Sequence, residues 1–124
     1  MVRNEVEELS RMGPLPSEAE SINNPSPVLE KYQRLLLSIE KPVTDEEAKV
    51  LAGVFGPDDC FGAAWTLLHL IETAPNWPQE PLEDNGNEWI QMLNRRAERW
   101  KEAGYPARAF YKEAGLPDPR TKRE

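Results

Sequence analysis

The chain's only histidine and only cysteine, His69 and Cys60, fall in one stretch, FGPDDCFGAAWTLLHLIETAPNW, which runs from Phe55 to Trp77 and holds two of the four tryptophans. An imidazole beside a carboxylate is the simplest acid–base pair a protein can build. His69 and Glu72 offer one at i, i+3, a spacing at which helical side chains meet. On a helical wheel Trp65, His69 and Glu72 form a narrow seam with Asp58 and Gly62, which could hold a small ligand. A structural histidine bonded at a helix interface accounts for the same H-x-x-E pair more simply. Asp58 and Asp59 lie two to three turns before His69, too far to share one metal ion with it unless another helix contributes.

Cys60 is pulled in two directions. A helix N-terminus lowers a thiol pKa, whereas Asp58, Asp59 and burial raise it. It also falls roughly opposite His69 on the wheel, which argues against a Cys–His dyad and for a small buried residue. The sequence has no phosphate-binding glycine loop, nucleophile elbow, HExxH or cysteine pair. The expectation is a protein without catalytic residues, metal or cofactor, hence not an enzyme.

Charge is the stronger signal. The 124 residues carry a net charge of −7, distributed unevenly: residues 1–90 hold 6 Lys+Arg against 17 Asp+Glu, and residues 91–124 hold 9 against 5. No Lys or Arg occurs between Val50 and Asn94. Asp58, Asp59, Glu72, Glu80, Glu83, Asp84 and Glu88 occupy that window. Such a field repels nucleic acid and attracts basic protein surfaces, with an effect that salt screens. Trp77, in the proline-flanked PNWP next to these acids, is either a cover over the end of the core or an aromatic anchor for a basic partner. The predicted contact surface is therefore Asp58, Asp59, Trp77, Glu80, Glu83, Asp84 and Glu88, with the Trp65–His69–Glu72 seam as the alternative site. Arg95, Arg96, Arg99 and Lys101 interleave with Glu98 and Glu102, as on a solvated, ion-paired helix face. No nucleic-acid partner is expected.

The elements that must position these residues read as helices. Residues 1–26 read as a flexible or weakly helical, loosely attached extension, with Val2, Val6 and Leu9 as a short helical stripe before the Pro-, Ser- and Asn-rich GPLPSEAESINNPSP. Residues 27–117 form the helical domain, and 118–124 a basic tail. Ser26-Pro27 caps a helix whose stripe is Val28, Leu29, Tyr32, Leu35, Leu36 and Ile39. Thr44 to Glu47 is a capping box, followed by core positions Ala48, Leu51, Val54 and Phe55. The stretch from about 58 to 74 reads as the central helix, with Cys60, Phe61, Ala63, Ala64, Leu67, Leu68, Leu70, Ile71 and Ala74 in one apolar arc. Asn87 caps a helix on Trp89, Ile90, Leu93, Ala97 and Trp100. WKEAGYP and YKEAGLP are two copies of one helix stop signal, flanking a short last helix.

The predicted fold is thus all-α: a compact bundle of four to five helices around a central one. A single cysteine excludes an intramolecular disulfide and suits a reducing compartment. The N-terminus lacks a signal-peptide core, and the longest uncharged apolar run, Cys60 to Ile71, falls short of the roughly 20 residues that span a bilayer, so a cytoplasmic, membrane-free protein is expected. Four tryptophans leave homodimerisation open. In size, charge and fold class the chain resembles the small acidic helical proteins of bacteria that bind and neutralise a toxin, as immunity proteins do. That resemblance implies an inhibitor of a basic protein partner and carries no individual residue across.

Overall fold

Helix caps and breakers divide the chain more finely than the apolar pattern does. The computed structural model describes residues 2–23, 27–78 and 80–118; Ser26 and the tail beyond Asp118 lie outside them. Among the described residues there are seven helices and no strand: α1 Asn4–Met12, α2 Glu18–Asn23, α3 Val28–Ser38, α4 Asp45–Ala52, α5 Ala63–Ile71, α6 Glu88–Glu102 and α7 Arg108–Ala114. None is long and apolar enough to cross a membrane.

α5 is the hub, packed against α4, α3 and α6. It is shorter than the 58–74 expected, but its apolar arc is as predicted: Ala63, Ala64, Leu67, Leu68, Leu70 and Ile71 are all buried. α4 begins with the predicted box, Thr44 Oγ1 accepting from the Glu47 amide at 3.0 Å and Glu47 Oε1 accepting from the Thr44 amide at 2.9 Å. Asn87 Oδ1 caps α6 by accepting from the amides of Trp89 and Ile90, and its Nδ2 donates to the Gly56 carbonyl at 3.2 Å. One residue thus starts a helix and ties it to the loop before α5. The two stop signals also match: the Tyr105 amide donates to Trp100 O and the Leu116 amide to Tyr111 O, both at 2.9 Å. Gly104 and Gly115 supply the positive φ each turn requires.

The N-terminal region corrects the sequence reading. It is not a loose extension: Val6, Leu9 and Leu15 are buried in the core, and α1 packs on α4 and α3. Burying each such side chain contributes roughly 1.5–3 kcal/mol, enough to hold a nine-residue helix in place. Polar bonds fix its position. The Arg3 amide, Nε and Nη2 all donate to the Glu47 carboxylate at 2.9–3.0 Å. Tyr32 Oη lies 2.8–3.0 Å from the carbonyl oxygens of Met12, Gly13 and Pro14. The Leu15 amide donates to Val54 O, and at Gly56 a Cβ would fall 2.0 Å from Leu15 O, so only glycine permits this approach.

Candidate functional site

Residues 58–62 are not the first turn of α5. Cys60, Phe61 and Gly62 have φ of 50°, 56° and 91°, three successive left-handed residues of which two carry a Cβ. That conformation costs an L-residue roughly 1–2 kcal/mol, so neighbouring groups must impose it. Carboxylates do so: the Cys60 amide donates to Asp58 Oδ1 at 3.0 Å, the Phe61 amide to Glu18 Oε2 at 2.9 Å, and the Gly62 amide to Asp59 Oδ2 at 3.1 Å. Asp58 in turn accepts from the Glu18 amide at 3.0 Å, which closes a clamp between α2 and the turn. Asp58 and Asp59 are therefore turn-forming acids and not dipole caps on an α-helical turn.

The turn sends Cys60 inward and Phe61 outward. Cys60 is fully buried, and burial, reinforced by Asp58, Glu18 and Asp59, pushes its thiol up to about 11, far from a thiolate nucleophile. Phe61, assigned to the apolar arc from the wheel, is 49% exposed because it precedes the helix whose geometry the wheel assumed. Trp65 follows four residues later, 39% exposed. Its ring stacks on His69 at 5.8 Å and meets Trp89 edge-on at 5.2 Å, and Trp89 stacks on buried Phe55 at 6.1 Å. This row of rings runs from solvent into the core and holds Trp65 rigid.

The predicted seam is brought together, but its carboxylate is already engaged. Glu72 is buried and accepts from Arg96 Nε at 2.7 Å and Nη2 at 3.0 Å, with His69 Nδ1 3.7 Å away. The Arg96 guanidinium also lies over the Trp100 ring at 5.3 Å, and its bond to Glu72 raises its pKa. With both carboxylate oxygens bonded by one guanidinium, Glu72 joins α5 to α6 and is poorly placed to serve as a base or ligand. Among the described residues no three of His, Cys, Asp and Glu converge as a metal site would require.

The predicted acidic surface loses its anchor. Trp77 is 2% exposed. The start of α7 bonds the backbone here: the Arg108 amide donates to Trp77 O at 3.1 Å and the Ala109 amide to Pro75 O. Of the remaining acids, Asp84 Oδ1 accepts from the Gly86 amide at 2.7 Å and shapes the turn before α6. Glu80, Glu83 and Glu88 are exposed. Among the described residues, none of Asp58, Asp59, Glu80, Glu83, Asp84 and Glu88 forms an ion pair.

Sequence reasoning missed Phe61, Glu18 and Arg96. The one local signal for the turn is the pair of acids before Cys-Phe-Gly, a composition that suits side-chain-to-backbone bonds better than a helix start. Neither family models, nor curated proteins, nor solved structures give a match to this chain.

Proposed function

We propose that the protein is a non-enzymatic interaction module whose contact surface is the aromatic strip Phe61–Trp65, rimmed by Glu18, Asp58, Asp59 and, beyond Trp89, Glu88. One observation carries the proposal: an exposed phenylalanine held in a left-handed conformation by a three-carboxylate clamp. Strain of this kind persists only where surrounding structure imposes it, and it concentrates at sites of function. Phe61 keeps about half of its surface in solvent, and display of that surface accounts for the strain.

The chemistry of the rim defines the partner. Exposed, rigid aromatics surrounded by carboxylates without ion pairs favour a basic protein surface with an apolar centre. Trp65 is braced by Trp89 and Phe55, so it needs little ordering on binding, which lowers the entropic cost of association. Charge governs the encounter rate, and a few desolvated contacts at Phe61 and Trp65 govern dissociation. Inhibition of a basic toxin-like protein by occlusion, in the manner of immunity proteins, is one form this takes.

Binding to basic proteins from the native host, measured at low and high salt, tests the proposal. Wild-type protein binds and releases as salt rises; Phe61→Gly folds and fails to bind. Unchanged binding by Phe61→Gly removes the strip from the contact surface.

A further inference from the structure

Beyond Trp65 the strip leads into a cleft. The C-terminal ends of α3 and α5 meet there, leaving a space of about 230 Å³ walled by Leu36, Leu37, Ile39, Thr66 and Leu70, with His69 and Lys41 at its edge. Leu37 is 79% exposed, the most exposed of the large apolar side chains described. A leucine so open at the lip of an apolar cleft gains nothing from folding. Trp65 and His69 stand one turn apart on α5 and their rings stack, with Phe61 just before the helix starts, so strip and cleft together extend over about two turns of a helix.

We infer that the segment of the partner seated here is an amphipathic helix running parallel to α5, with cationic side chains in its first turn. This inference rests on the contact surface assigned above and adds the partner's shape and direction. An aliphatic side chain fills the cleft beside Leu37, and a second apolar position one to two turns earlier lies on Trp65, the spacing of helix-in-groove recognition. Charge sets the direction. Glu18, Asp58 and Asp59 cluster at the Phe61 end, and none of the described residues lining the cleft is a carboxylate. The positive N-terminal end of a helix dipole is favoured next to carboxylates. Lysine or arginine in the first turn adds to this interaction, and a helix laid the opposite way loses both.

The probe is an acetylated amphipathic peptide of about 15 residues, roughly 22 Å of helix, with leucines every third or fourth position and lysines in its first turn. A control peptide of the same composition carries the lysines in its last turn. Amide and indole NMR resonances of the full-length protein are followed during titration. The first-turn peptide is expected to bind at least tenfold more tightly than the control and to move resonances of Leu37, His69 and Trp65. Leu37→Asp, a change at a solvent-facing side chain, is expected to weaken it tenfold or more with no loss of thermal stability. Equal affinity for the two peptides, shifts confined to Glu18, Asp58 and Asp59, or indifference to Leu37→Asp overturns the inference. The two proposals fail separately. If Phe61→Gly abolishes binding of basic host proteins while Leu37→Asp does not, the contact surface stands and the helical occupant of the cleft falls.

Discussion

Two sets of carboxylates in this protein do opposite things with their charge. Glu47 and Glu72 are buried, and each is closed by an arginine from elsewhere in the chain, Arg3 just before α1 and Arg96 of α6 respectively. Asp58, Asp59 and Glu18 bond backbone amides of one turn and form no ion pair among the described residues. The first set spends its charge inside the molecule, joining α1 to α4 and α5 to α6. The second shapes the backbone while leaving net negative charge at the surface. Burial separates the two: the fully desolvated Glu47 and Glu72 need a cation, whereas the partly buried Glu18, Asp58 and Asp59 are held by N–H groups and solvent. Among the described residues, Asp59 Oδ1 is itself buried without a hydrogen-bond partner.

The comparison predicts the largest loss at Arg96. Arg96→Ala strands Glu72 as a buried, uncompensated charge, and thermal unfolding should show a loss of roughly 3–5 kcal/mol. Glu72→Gln in the same background should recover part of it. Arg3→Ala leaves Glu47 with its capping bond and with solvent nearer, since the Arg3 side chain is partly exposed, so a smaller loss of about 2–3 kcal/mol is expected.

Acid titration sharpens the same contrast. Burial alone would raise the Glu47 pKa, but the bonds from Arg3 and from the Thr44 amide outweigh it and hold the carboxyl at about 2. The folded pKa lies below the unfolded one near 4.5, so the contribution of Glu47 is complete above pH 4.5. It is lost progressively as pH falls toward about 2. Stability followed by chemical denaturation should decline through this window, and Arg3→Ala should flatten the decline.

Local rules made part of this legible. The Thr44–Glu47 box, the Asn87 cap, the two glycine stops and the apolar arc of α5 depend on residues close in sequence, and each appears where its spacing places it. The strained turn depends on Glu18, more than 40 residues before Phe61, in a segment whose prolines and serines read as linker. Helical periodicity carried back through Asp58 then put Phe61 in the core. Trp77 carried two readings, core cover and anchor, and its burial decides for the first; the bond from α7 to its backbone, starting at Arg108, is not legible in PNWP. Arg96 looked like one member of a solvated basic face because its partner Glu72 stands 24 residues away on another helix.

The smallest expected change in stability is the most informative. Phe61→Gly removes a Cβ from a left-handed position together with the buried half of the side chain's surface. If the clamp exists to display Phe61, relief of strain offsets the lost burial and thermal unfolding should place the variant within about 1–2 kcal/mol of the wild type, while its binding to basic host proteins at low salt is lost. A variant that melts clearly lower, or that binds like the wild type, would contradict display as the reason for the strained turn.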